Sequence, residues 1–395
     1  MRSGIFTSGS VTAGHPDKLC DQISDAVVDR VLRGQPQARI TVESAVAKGI
    51  VFVALHSSEG LEIDVANTAR AVIDRVGYRQ GSFQARTCSV MTSVSETRIE
   101  NSWPDDQDLA PDTFDQFPAE RQVTLFGFAC RQTDALMPYP IWLANKLVAQ
   151  LDQVREAGKI ADISPDGQSQ VSVTYEKGQP VRLYGLTLMA APTPGKAPDS
   201  GLLSEQLREH VIEPVFAEER LKPDQETRVV INPAGVTEPG GPEQHAGLTG
   251  RKTGIDTYGD FARHSESALS GKDPVRIDRC GAYMARFAAC AVVKAGFAET
   301  CEVQVSYALG DAHPVSLTVE TFGTGRINDE RIASRLRECF DFRPAAILKQ
   351  FGLRHLPEQR RGPFYERLSS YGQMGRLDLE PPWENVIDAA NILAG

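Results

Sequence analysis

The sequence predicts an α+β fold made of three similar helix-plus-hairpin domains around a pseudo-threefold axis. Three observations carry that expectation. The chain has 395 residues, too many for one ordinary core, so two or three domains are expected. A helix followed by two short strands recurs three times. The strands after each helix begin near Arg39, Gln170 and Cys301, two equal steps of 131 residues. A long repeat of one supersecondary unit implies repeated domains.

In the first unit, residues 18–33 read as a helix with Leu19, Ile23, Val27 and Val31 on one face. Strands follow at 39–46 and 50–56. The second unit has a helix over 141–157 and strands over 170–175 and 181–189, turning at Gly178. The third has a helix over 281–295 and strands over 302–308 and 315–321, turning at Gly310. A further helix is expected over 328–339. Residues 100–118 are acidic and contain proline, and read as a joint or a solvated loop. Residues 191–200 hold three prolines and read as a surface connection. Residues 237–254 are too rich in glycine for a helix or strand interior. From 364 onward the chain should be irregular and pack back on the body. The expected domains are 1–102, 116–233 and 234–395.

Apolar content of 41% and charged content of 24% fit a soluble globular protein. The formal net charge of -10 argues against a nucleic-acid binder, whose affinity comes from neutralising phosphates. Residues 1–13 lack the pattern of a signal peptide, and no apolar run approaches the length of a membrane span. The seven cysteines are widely spaced without C-x-x-C. They read as reduced, mostly buried thiols in a cytoplasmic protein.

Three stretches carry chemistry. Gly14-His15-Pro16-Asp17-Lys18 opens the first helix and gathers an imidazole, a carboxylate and an ammonium at its positive end. Alone, it reads more readily as an ordinary cap. Gly247-Leu248-Thr249-Gly250-Arg251-Lys252 offers backbone N–H groups and two cations to an anion, or is a tight turn with solvated cations. In residues 270–279, Lys272, Asp273, Arg276, Asp278 and Arg279 interleave charges. A magnesium–polyphosphate complex needs such a mixture, with hard oxygens for the metal and cations for the phosphates. Three such stretches in one acidic chain favour the ligand over three separate charged loops.

With these motifs the chain resembles the S-adenosylmethionine synthetase family. The resemblance spans nearly the whole chain through GHPDK (14–18), DQISDAV (21–27), LMPYPI (136–141), GLTGRK (247–252), DTYG (256–259), SGKDP (270–274), QVSYA (304–308) and VETFGT (319–324). It implies a three-domain α+β fold and an ATP-dependent adenosyltransferase. In that reaction a thioether sulfur attacks C5′ of ATP, triphosphate leaves, and the triphosphate is cut to pyrophosphate and phosphate. It also implies homodimers or dimers of dimers with sites between subunits, two Mg²⁺ ions and K⁺. His15 would lie near the C5′–oxygen bond. Lys18, Arg251, Lys252 and Lys272 would line the triphosphate, and Asp166 and Ala268 would contact the nucleotide. Asp17 and Asp278 would hold magnesium, and Glu43 potassium.

The methionine side departs from the family. His56 and His245 stand where the family has the acids that hold the methionine ammonium. Thr97 stands where a glutamine helps bind methionine, and Arg276 replaces a lysine. The family's Gly-Ala-Gly-Asp-Gln-Gly reads Pro118-Ala119-Glu120-Arg121-Gln122-Val123, so Arg121 reverses a charge. Gln168 replaces a lysine of the ATP site. Val236-Thr237 replaces Arg-Phe near the adenine, and Ser265-Glu266-Ser267 replaces a triple glycine. The altered pocket would thus comprise His56, Thr97, Arg121, His245 and Arg276. The expectation is an adenosyltransferase whose nucleophile is methionine or another small molecule. The alternatives are an ATP or triphosphate hydrolase and a non-catalytic subunit of a true synthetase.

Overall fold

The computed structural model describes residues 3–98, 103–233, 235, 240–360 and 362–395. Val236 and Thr237 lie outside them. Among the described residues eleven strands form three sheets: β1 (Gly4–Val11), β2 (Ile40–Ala47), β3 (Ile50–Ser58), β4 (Ser89–Thr97), β5 (Val123–Cys130), β6 (Ile163–Glu176), β7 (Gln179–Pro192), β8 (Arg228–Ile231), β9 (Gly247–Leu248), β10 (Thr300–Tyr307) and β11 (Ser316–Glu320). The sheet orders are β4-β3-β2-β9, β1-β6-β7-β8 and β11-β10-β5. One long helix packs on each sheet in turn: α1 (Pro16–Gly34), α2 (Tyr139–Glu156) and α3 (Ile277–Lys294). The three helix–hairpin units expected from the repeat are present.

Each unit's sheet is completed by a strand from elsewhere in the chain. β1 precedes α1, yet pairs antiparallel with β6 of the second unit. β5 precedes α2, yet pairs with β10 of the third. β9, from the third segment, pairs with β2 of the first. The even 131-residue spacing is not kept, because the second hairpin starts at Ile163 and carries Asp166 and Gln168 on its added length.

Helix α1 opens at His15, whose Nδ1 accepts the Asp17 N–H at 3.2 Å; Pro16 follows where a missing N–H costs nothing. The expected single apolar face proves too narrow, since α1 is buried on nearly every side. Asp17, Asp21, Asp25 and Asp29 recur every four residues and so lie along one stripe. Each accepts a backbone amide from a later segment: Leu248 (3.0 Å), Gly250 (2.8 Å), Gly271 (2.9 Å), and Tyr365 with Glu366 (3.0 Å each). This acid ladder fixes two glycine-rich loops and the tail on one helix.

The acidic joint is not simply solvated. Asp106 is buried and paired with Arg354, and Trp103, Leu109 and Phe114 of the same segment are buried as well. The tail packs back as expected, with Trp383 stacked on Tyr283 at 3.6 Å between ring centroids, but it is not irregular throughout: Tyr365–Leu368 and Ile387–Ala394 are helical. The seven cysteines are unpaired, and all but Cys339 are buried.

Candidate active site

The predicted residues fall into three groups. The first surrounds the start of α1. Asp17 is buried, and its Oδ1 accepts the Leu248 N–H. Lys252 Nζ lies 3.0 Å from Asp17 Oδ2, and Arg251 Nη1 lies 3.5 Å from Oδ1. Burial pushes the Asp17 carboxyl up, but the Lys252 and Leu248 hydrogen bonds outweigh it and hold it below its usual range. Gly247 is required here: a Cβ would stand 2.1 Å from the Pro16 carbonyl oxygen. A Cβ on Gly250 would meet the Ala268 methyl at 2.4 Å, so Ala268 backs the turn that presents both cations. Lys18 points inward instead. It is fully buried between Asp21, 2.9 Å away, and Asp256. These carboxylates outweigh burial and keep its ammonium charged.

Asp166 and His245 complete this group. Asp166 Oδ2 accepts the Gly241 N–H at 2.7 Å and lies 3.1 Å from His245 Nε2. The hydrogen bond to Asp166 raises the His245 imidazole above its ordinary value. The His15 ring lies 5.0 Å from the His245 ring, centroid to centroid. Burial pushes His15 down to about 4, against the pull of Asp166 and Asp17. It is therefore neutral near pH 7. Because Nδ1 accepts the Asp17 amide, its proton sits on Nε2. Beside this group lies a cavity of about 550 Å³ lined by Ser10, Gln168, Arg251, Lys252, Asp260 and His264.

The second group surrounds the start of α3. Asp278 is fully buried. Its Oδ2 lies 3.2 Å from Lys272 Nζ and 3.1 Å from Arg121 Nη1. Its Oδ1 is buried with no hydrogen-bond partner among the described residues. Burial lowers the Lys272 ammonium despite Asp278. Arg276 stands 3.3 Å from Glu120, which also takes both Nη atoms of Arg39 at 2.5 Å. Sequence reasoning overlooked Glu120, Arg39 and the buried Asp25–Arg279 pair that anchors Lys272 from behind. The alternating charges of 270–279 were the available signal.

The third group lies on the outward face of the β2–β3–β4 sheet. His56 Nδ1 lies 2.9 Å from Ser95 Oγ, and Nε2 lies 3.3 Å from Thr97 Oγ1. Glu43 is exposed on the same face. Among the described residues no hydrogen bond or ion pair joins the three groups. Asp17 and Asp25 anchor the first two through Leu248 and Gly271, eight residues apart on α1, which is about 12 Å of helix.

Three family descriptions match in succession: S-adenosylmethionine synthetase, N-terminal domain, over residues 3–98; central domain, over 116–237; and C-terminal domain, over 239–385. The chain belongs to the S-adenosylmethionine synthetase family. It is 43% identical over 405 residues to the S-adenosylmethionine synthase of Prochlorococcus marinus (strain MIT 9313), covering 100% of this chain and 97% of that one. It is 44% identical over 405 residues to that of Synechococcus sp. (strain CC9902), covering 100% and 99%. These matches support an adenosyltransferase of the S-adenosylmethionine synthetase type. Among the described residues no helix is long and apolar enough to cross a membrane.

Proposed function

We propose that this S-adenosylmethionine synthetase relative transfers the adenosyl group of ATP to a small nucleophile other than methionine. One observation carries the reading. His245 already takes Asp166 as its partner at 3.1 Å, and it stands where the family keeps an ammonium-binding acid. His56, at the other such position, is engaged by Ser95 and Thr97. Neither offers a carboxylate to an α-amino group. Arg276 keeps a cation for a substrate carboxylate.

The nucleotide would lie along the 550 Å³ cavity, with its phosphates toward Arg251 and Lys252 and its nucleoside toward Asp166, Gln168 and Ala268. His15 would donate a hydrogen bond from Nε2 to the oxygen leaving C5′. A thioether has no proton to lose, and a thiol or amine would attack as its thiolate or free base and release any remaining proton to water, so catalysis rests on positioning and on stabilising charge at the leaving triphosphate. Lys18 acts from inside, tying the start of α1 to Asp256. Arg121, Lys272 and Asp278 form the second half of the phosphate site. Because α1 spaces the halves within one chain, two copies in a homodimer would bring complementary halves together. The orphaned Asp278 Oδ1 fits a magnesium ligand, and Asp17 would serve a second ion. Bound magnesium would supply positive charge to the phosphate oxygens. Glu43 would hold potassium.

The test is incubation of the full chain with ATP, magnesium and potassium, with methionine or a panel of thiols, thioethers and amines, read by mass spectrometry. A 5′-adenosyl adduct with a panel member, exceeding that with methionine, is expected. Efficient S-adenosylmethionine formation would overturn the changed nucleophile. Phosphate release with no adduct across the panel would favour a hydrolase, and no turnover a non-catalytic subunit. His56→Glu combined with His245→Asp should improve kcat/KM for methionine at least about tenfold, equivalent to about 1.4 kcal/mol.

A further inference from the structure

His15, Asp166 and His245 do more than line a nucleotide site. One ligand atom from each lies within 4.8 Å of the other two, and we propose that these three side chains form a site for a borderline divalent transition metal of the Zn²⁺ or Co²⁺ type. The donor set is two imidazole nitrogens and one carboxylate oxygen. Imidazole suits zinc and cobalt, whereas magnesium prefers oxygen throughout. Three protein ligands leave a fourth position open to water or a small molecule.

The geometry is close to what the metal requires. Zinc ligands at about 2.0–2.1 Å in a tetrahedron stand about 3.4 Å apart, so an adjustment of up to about 1.4 Å at His15 completes the set. His245 Nε2 and Asp166 Oδ2, 3.1 Å apart, are already near that spacing. The supporting contacts are in place too. The Gly241 amide fixes the Asp166 carboxylate at 2.7 Å. A metal on His15 Nε2 moves the ring proton to Nδ1, which then gives up the Asp17 amide and turns to the Asp17 carboxylate, 3.8 Å away. The His245 side chain is 45% exposed, which gives a metal a route in.

A metal on His15 and Asp166 takes both side chains away from a nucleotide. The metal-loaded chain is therefore an off state for adenosyl transfer. The site stands on its own geometry, and its test needs no turnover.

The full chain, stripped with a chelator and free of nucleotide, is titrated with Co²⁺ and followed by visible absorption, and with Zn²⁺ by equilibrium dialysis. One equivalent per chain with tetrahedral cobalt bands is expected, unaffected by excess Mg²⁺. His245→Asn should weaken binding at least about tenfold. His245→Cys should keep the equivalent and add a thiolate-to-cobalt charge-transfer band, which covers the case in which the asparagine variant folds poorly. Absence of a stoichiometric equivalent in the unaltered chain, or equal binding by His245→Asn, would overturn the site and leave His245–Asp166 a plain ion pair.

Discussion

Replacing Asp25 by leucine tests whether the acid ladder holds the second half of the site. Asp25 and Arg279 are both fully buried. Asp25 Oδ1 accepts from Arg279 Nη1 and from the Gly271 amide, each at 2.9 Å. Its Oδ2 accepts from Arg279 Nη2 at 3.0 Å and from Ser369 Oγ at 2.7 Å. Leucine removes the carboxylate and leaves a guanidinium buried without a counter-ion, at a cost of about 3–5 kcal/mol. The Gly271 amide also loses its acceptor, at about 1 kcal/mol, while Ser369 Oγ keeps the Tyr365 carbonyl at 3.1 Å. The sum is comparable to the whole stability of an ordinary domain, about 5–15 kcal/mol. Arg279 also donates to the Lys272 carbonyl at 2.7 Å, so the loop that presents Lys272 should loosen with it. The assay is urea unfolding at fixed protein concentration, for Asp25→Leu and for Asp25→Leu with Arg279→Met. The double variant, with no stranded charge, should be the more stable by about 1–4 kcal/mol. A single variant costing less than about 1 kcal/mol, or a double variant at least as damaged as the single, would refute the reasoning.

Gly247→Ala should cost about 1–3 kcal/mol in thermal or urea unfolding, because the added Cβ meets Pro16 backbone at 2.1 Å and backbone cannot rotate aside. Arg121→Ala should lower the Mg²⁺ needed for half-maximal ATP turnover. Arg121 is half exposed, so the gain is at most about 1 kcal/mol, roughly fivefold; an unchanged or raised requirement would mean that Arg121 does not compete for Asp278. His15, pushed down to about 4 by burial, contributes stability that is full above its unfolded value of about 6.5 and is lost as pH falls toward 4. His15→Asn should therefore flatten the acid limb of stability, and an unchanged limb would count against a buried neutral imidazole. His245 works with the opposite sign: its raised value gives stability present below about 6.5 and lost as pH rises through its folded value. His245→Asn should remove that decline near and above neutrality.

The long helices were legible because their signals are local. Pro16 and the apolar periodicity placed α1, and the helix expected over 141–157 lies within a few residues of α2. The second and third hairpins were legible from their turns at Gly178 and Gly310. β1, β5 and β9 were missed for a shared reason: each leaves its own segment to complete another unit's sheet, and no local pattern encodes a distant partner. Gly4–Val11 is rich in Ser and Gly and half exposed, so it read as a plain terminus. The helix Val65–Val76 was also missed, although Asp64 caps it. Within the site, the residue types were readable, but their grouping was not. That Asp17 and Asp278 stand in separate groups follows from the length of α1 between Asp17 and Asp25, a tertiary fact. The inward turn of Lys18 depends on Asp256, more than two hundred residues away, and the role of Glu120 depends on Arg39 and Arg276.

The acid ladder has a consequence for how such an enzyme can change. Its rungs take main-chain amides, and every residue except proline has one. Positions 248, 365 and 366 are therefore held without a demand on their side chains, whereas 250 and 271 must also stay glycine, because a Cβ would meet Ala268 at 2.4 Å or the Val42 carbonyl oxygen at 2.1 Å. The phosphate end of the site is registered to α1 by the peptide backbone itself. His56, Ser95 and Thr97 instead touch one another through side chains on an outward face, where a replacement strands no buried group. A lineage can exchange those residues freely and keep the machinery that expels triphosphate. On the proposed function, the choice of attacking molecule would be the inexpensive variable in this architecture, and the leaving group the constant.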